Sequence, residues 1–551
     1  AFLRNDKAKG QAAAPFLYLQ KSFGLRKEGA LRRIGLFLCG LIFLFLTGIC
    51  TGCGHKTETG EREIVLAAAR DLVQGEKDPY YATIILKTWE PLVGISDDGH
   101  EMPVLAESWE SNADKTEWIF HLKEGVHFHD GELFNAAAAL ENFRRYWNMG
   151  YRPSTFYGFL ADRIYPGLLR AEADDENTLH LYFEKPVPML IYRMAGWGSA
   201  MFSPRCFDSA TGDWTGMAKG TGPFMIKERV PDAYAVIERF DGYHGEKAKA
   251  KRIRIRTITS SDARYSAMKS GEIQGVLDLG GLAPIMAEEL ERDGRFTVNA
   301  AHSTISHYLT LNGGRFPFSD VRMRKAVNLA VDRGKIVKYY FRGFGTPTMS
   351  FLNSTNPFGR VEKPVFDPVK AKELAKEVLG DKRQTVKFLL PQYGMARYPY
   401  KTISEFIQAE LKPLGLDAEI VMVDGMTSRK MMAKGDYDLS IGTRGLGNLD
   451  PTSLLFEYFD SKGATNKASC ISYNNPKVDA CFEALKTVYD LDERRTVYAE
   501  ILDELLTDPA VVPLLEDQNI AVCSHELGGY KAAVYGITLD KVYWRKGAGK
   551  E

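Results

Sequence analysis

"LAESWESNADKTEWIFHLKEGVHFHDGELFNAAAALENF", residues 105–143, decides how the rest of the chain is read. Within it, "TEWIFHL" alternates apolar and polar side chains with the two-residue period of a strand buried on one face. "AAAALENFRRYW" then has the pattern of a helix, and Asn135 stands where an N-cap belongs. Three histidines punctuate the stretch: His121, His127 and His129. His127 and His129 alternate, so on an extended segment they share a face. Two such imidazoles can hold a metal ion, but the expectation is ordinary structural histidines.

Strand and helix patterns mix on either side without a strict alternation. "EIVLAAA", "TLHLYF" and "AVIERF" predict strands. "DVRMRKAVNLAVDRGKIVKYYF" predicts one long helix, and "DPVKAKELAKEVL" a helix opened by Asp-Pro. "TVKFLL" and "DAEIVMV" flank the helical "YKTISEFIQAELKPLG", a βαβ-like unit. "DERRTVYAEILDELLTD" reads as an amphipathic helix. A length of 551 residues allows two to four domains.

The formal net charge is zero, but residues 1–52 hold eight Lys/Arg against two Asp/Glu, +6, which leaves about −6 for the body. A mildly acidic body argues against a nucleic-acid partner. "RKEGALRR" is followed by the uncharged "IGLFLCGLIFLFLTGI" and then "CTGCG". A basic stretch before a short apolar one reads as a secretory signal, and Gly52-Cys53 as a lipoprotein processing site with Cys53 lipidated. Cys50 stands where that motif usually has Leu; the other reading is an uncleaved anchor helix. Either places the body outside the cytoplasmic membrane. Of the cysteines beyond Cys53, Cys470 and Cys481 are close enough in sequence to suggest a small-loop disulfide.

Catalytic signatures are missing: the chain has no GxSxG, HExxH, GxxxxGK[ST] or GxGxxG. The expectation is a protein that is not an enzyme and needs no cofactor. An enzyme would require a pocket with a nucleophile–base pair, which no motif announces.

The opening stretch resembles the family 5 extracytoplasmic solute-binding proteins, the peptide, nickel and opine receptors of ABC importers. The resemblance rests on Leu105 to Trp109, Trp118 to Leu122, Gly125 to Gly131 and Phe134 to Ala136. Further blocks follow in order: "WEPLV", "GTGPF", "VRMRKAVNLAVDR", "DYDLSIGTRGLGNLDPTSLL" and "YNNPKVD". It implies an α/β, two-lobed periplasmic-binding-protein fold of type II, with an extra subdomain and a ligand cleft between the lobes. The implied layout is an N-terminal extension (1–33), an apolar signal segment (34–53) and a tether (54–61). Lobe I then comprises 62–95, 211–305 and 515–545, with 96–210 as its inserted subdomain, and lobe II comprises 306–514. The implied partners are an ABC permease and ATPase, with the receptor a lipid-anchored monomer. A sensory or chaperone-like peptide-binding module is the rival outside transport.

The resemblance also bears on the ligand. Peptide receptors hold the ligand amine with an Asp shortly before the block that here is Asp450-Pro451-Thr452-Ser453; Gly447 stands in its place. "GELFNAAAALENFR" is nearer to the nickel and metallophore receptors. That branch implies a chelated metal as solute, nickel first, bound through chelator carboxylates and aromatic faces, with a di- or oligopeptide as the alternative. Tyr157 and Trp197 fall at stacking positions and Tyr81 near another ligand-facing one. Arg444 replaces an aromatic and offers a bidentate carboxylate clamp, and Asn448 is a polar contact. No His lies between 308 and 524, so a metal would arrive already chelated.

Overall fold

The computed structural model describes residues 62–71, 85–96, 99–149, 164–196, 199–208, 215, 217–278, 280–395, 397–445 and 449–546. Its main sheet has eleven strands. In chain order they are β1 Ile64–Ala68, β2 Phe224–Val230, β3 Tyr234–Arg239, β4 Arg252–Thr257, β5 Gly275–Val276, β6 Phe296–Leu311, β7 Gly345–Pro347, β8 Gln384–Pro391, β9 Leu416–Val423, β10 Leu439–Gly445 and β11 Val511–Ser524. Neighbours run β9-β8-β10-β6-β11-β5-β1-β4-β3-β2, and β7 pairs with β11. β8 is parallel to β9 and β10, and β1 is parallel to β4 and β5. The long β6 and β11 pair antiparallel and thread both halves.

That order divides the sheet into two lobes. β1 to β5 make the first lobe and β8 to β10 the second, with β6 and β11 shared. Helices cover both faces of the second lobe, as parallel strands require. Val321–Ala330, Pro368–Leu379 and Tyr400–Leu411 pack with Leu309, Leu311 and Phe388. Thr452–Phe459, Pro476–Ala484 and Leu491–Thr507 pack with Tyr308 and Phe351 on the opposite face. Leu309 and Tyr308 are neighbours on β6 and enter different cores, the two-residue period at work. Each fully buried Leu contributes about 2 kcal/mol.

The opening stretch builds a separate four-stranded antiparallel sheet, Ala106–Ser111, Glu117–Leu122, Thr178–Phe183 and Leu168–Ala173 in spatial order, carrying the helix Ala136–Met149. Trp118, Phe120 and Leu122 point inward from the second strand and Val126, Phe128 and Phe134 from the turn after it. Asn135 caps the helix, accepting from Ala138 N at 3.0 Å. Gly125 and Gly131 take φ of +69° and +83°, the left-handed turn geometry that favours glycine. His127 is exposed, its Nδ1 3.0 Å from Gly125 O. His129 reaches back to the main body: its Nε2 donates to Gly222 O at 2.9 Å and its ring stands edge-on to Phe240. It is a staple between subdomain and first lobe. Among the described residues no three of His, Cys, Asp and Glu gather into a metal-holding group.

Two local expectations are corrected. The helix predicted through residues 320–341 stops at Ala330; Val331 is extended and Asp332 caps a new turn, accepting from Lys335 N at 2.9 Å. The break turns Arg333 inward, where its guanidinium donates to Pro513 O at 2.7 Å and Asn328 O at 2.8 Å. A buried guanidinium needs such acceptors, and a continuous helix would carry it elsewhere. Cys470 and Cys481 form no disulfide. Cys481 Sγ instead lies 3.7 Å from Glu500 Oε2, while Cys470 sits beside Gly435.

Candidate ligand-binding cleft

In open α/β sheets, ligands gather outside the carboxyl ends of parallel strands. β6 leaves the first lobe for the second, and β10 runs antiparallel to it, so β8, β9 and β10 all end facing the first lobe. β1, β4 and β5 end facing the second. The two carboxyl edges therefore meet where β6 and β11 cross between the lobes. The register of that pair shifts there, between His302 and Ser306 and again between His307 and Tyr308. Irregularities of this kind re-aim side chains beside functional sites.

One face of the crossing carries a buried polar network. His307 Nδ1 lies 2.8 Å from the Tyr400 hydroxyl, and its Nε2 3.9 Å from Asp517. Asp517 accepts from the Tyr398 hydroxyl at 2.9 Å and from Arg397 at 3.3 Å. Burial works to raise the Asp517 carboxyl, but His307, Arg397 and Tyr398 outweigh it and hold the pKa below the ordinary carboxylate value. Burial also lowers the His307 imidazole pKa, against the opposing pull of Asp517. Arg397 further reaches the first lobe. Gly280, at φ +64°, lies so close that a Cβ there would stand 2.0 Å from Arg397 Nε. Beside it, Asp278 accepts from the Ala69 N–H and lies 3.6 Å from Arg70.

The other face is less occupied. The Tyr308 and Tyr458 hydroxyls meet at 2.9 Å. Arg444, next to last on β10, stands with its guanidinium 5.6 Å from the centre of the Tyr458 ring. Its carboxylate neighbour, Glu457, is 3.5 Å away, and the Arg444 side chain is 43% exposed. A guanidinium with five donors and one long contact keeps capacity for a bidentate acceptor.

Of the residues singled out in the sequence, Arg444 is thus on the cleft edge. Tyr81, Tyr157, Trp197, Asn448 and Cys53 lie outside the described residues. Asp450, just ahead of the helix Thr452–Phe459, accepts from Thr452 N at 2.9 Å and pairs with Arg193 at 2.6 Å. It is a structural joint. Sequence reasoning missed His307, Tyr393, Arg397 and Asp517. The signals were there: Glu516-Asp517 interrupts the apolar "VVPLLEDQNIAV", and Tyr393 stands two residues past the first strand of the βαβ unit.

The model for bacterial extracellular solute-binding proteins, family 5, matches residues 101–466, and the chain belongs to that family. Its members are extracytoplasmic receptors that work with the permease and ATPase of ABC transporters. The glutathione-binding protein GsiB of Salmonella typhi is 25% identical over 506 residues, covering 89% of this chain and 95% of the relative. NikA from Brucella suis, solved with Fe(III)-EDTA, superposes with a TM-score of 0.76 at 22% identity, over 88% of this chain and all of that one. DppA from Helicobacter pylori, solved with the peptide STSA, gives 0.67 at 22%, over 88% and 98%. The fold is the two-lobed type II periplasmic-binding-protein architecture.

Proposed function

We propose that this receptor captures a small carboxylate-bearing solute, a chelated transition metal with nickel first, and hands it to an ABC permease. The observation that carries the reading is Arg444, half-exposed on the carboxyl edge with one long acidic contact. The ligands named for the three relatives, Fe(III)-EDTA, glutathione and STSA, share carboxylate chemistry. In this reading the chelator holds the ion and the protein holds the chelator. Tyr81, Tyr157 and Trp197 supply aromatic faces, Asn448 a polar contact, and Cys53 a lipid anchor. The second reading is a di- or oligopeptide, favoured by the likeness to GsiB and DppA.

Native mass spectrometry on residues 54–551, purified without chelators from rich medium, with elemental analysis alongside, tests both. Nickel, cobalt or zinc together with a small organic mass supports the chelate. Peptide masses without metal move the assignment to the second reading. A protein carrying neither, and binding neither class on addition, overturns both.

A further inference from the structure

Arg444 does not stand alone on its edge. The helix Gly425–Ala433 starts straight after β9 and is capped by Asp424, which accepts from Met426 N at 2.9 Å and Thr427 N at 3.0 Å. Arg429 lies one turn in. Its Nε donates to Gly425 O at 3.2 Å, which folds the side chain back over the helix's first turn, the edge that faces the first lobe. Arg429 is exposed, and among the described residues no carboxylate partners it.

Tyr393 connects this arginine to Arg444. It follows β8, lies 63% exposed, and packs its ring against the same first turn, with a Cβ on Gly425 falling 3.2 Å from the ring. Its hydroxyl extends to Gly442 on β10, 3.6 Å from where a Cβ would be. Gly442 and Arg444 are two residues apart on one strand and so share a face. The ring therefore spans from the turn carrying Arg429 to the strand carrying Arg444. Burial raises the Tyr393 hydroxyl's pKa and both guanidiniums oppose that rise, which places both charges near it.

We propose that Arg429, Tyr393 and Arg444 form a two-cation site for a ligand bearing two carboxylates, with the body of the ligand laid on the Tyr393 ring. The inference rests on the carboxylate reading above and names its class: a dicarboxylate or polycarboxylate, whether free or wrapped around a metal. An exposed aromatic between two guanidiniums suits such a ligand because each carboxylate takes its own donor fork while the linker keeps apolar contact. A ligand with one carboxylate uses only Arg444.

The test is calorimetric titration of wild type, Arg429→Gln and Arg444→Gln with three probes: Fe(III)-EDTA, glutathione, and glutathione amidated at its glycine carboxylate. Both residues are exposed, so the unfolding midpoints of the variants should stay with wild type. Arg429→Gln should weaken Fe(III)-EDTA and glutathione by tenfold or more and leave the amide unchanged. Arg444→Gln should weaken all three. Loss at Arg444 with none at Arg429 overturns the two-cation site and keeps the carboxylate clamp. Equal loss of amide and acid at Arg429→Gln also overturns it. Indifference to both substitutions, or no binding of either dicarboxylate probe by wild type, overturns the site; indifference to both removes the clamp as well.

Discussion

His307 and Tyr308 are neighbours on β6 and serve opposite faces of one sheet, and the two faces solve different problems. Around His307, Asp517, Tyr398, Tyr400 and Arg397 partner one another, with burial and hydrogen bonds setting each group's charge. Around Tyr308, the cations Arg444 and Arg429 lie at the edge with little to bind. Both faces are rich in Tyr and Arg, so residue type does not separate structure from site. Burial and the number of partners do. A buried, mutually bonded network specifies the fold, whereas exposed guanidiniums with donors to spare are capacity held for a ligand.

The contrast breaks most visibly under substitution of Asp517. Asp517→Ala leaves Arg397 and Tyr398 without their acceptor and should cost about 3 kcal/mol in urea denaturation. Arg444→Gln should cost under about 1 kcal/mol, as exposed ion pairs do. Similar losses from the two would mean that both faces are structural. The binding effects should run the other way: Arg444→Gln should weaken a carboxylate ligand by roughly 10- to 100-fold in titration calorimetry, the worth of a charged hydrogen-bond pair.

Gly280→Ala sharpens the comparison at the point where the buried network touches the first lobe. Alanine at φ +64° costs about 1 kcal/mol, and its Cβ displaces the Arg397 guanidinium from the turn. Affinity should fall by about tenfold for one-carboxylate and two-carboxylate probes alike, because the contact joins the lobes and does not read the ligand.

Two pH-dependent effects lie away from the cleft and have opposite signs. Burial, aided by the Lys219 charge, lowers the His129 pKa to about 4 from an ordinary 6.5. Its folded form binds fewer protons than the unfolded one, so its contribution is present above pH 6.5 and is lost as pH falls towards 4. Burial raises the Glu410 pKa to about 7 from 4.5, so its contribution is present below pH 4.5 and is lost as pH rises towards 7. His129→Gln should flatten the acid limb of a melting-temperature profile, and Glu410→Gln the neutral limb.

Much of the fold was legible. The strands at 64–68, 117–122, 178–183, 384–391 and 416–423 stand where the sequence predicts them, and those at 117–122 and 178–183 alternate buried and half-buried residues. The helices at 136–149, 368–379 and 491–507 begin at Asn135, Asp367 and Asp490, each of which accepts from a first-turn amide. These signals act within a few residues of where they are written. The long helix through 320–341 was misread because Arg333 answers to Pro513, 180 residues away. The suggested disulfide failed because closeness in sequence says nothing of where two thiols face.

The sequence by itself determined the local elements, the family motif and the presence of Arg444 in a strand-ending block. Caps, periodicity and turn glycines are short-range physics. Only the tertiary structure decided that Tyr393, Arg429 and Arg444 share an edge, and that Asp517 is satisfied while Arg444 is not. Partnering depends on distance and burial between residues far apart in the chain, and neither is written in the order of residues.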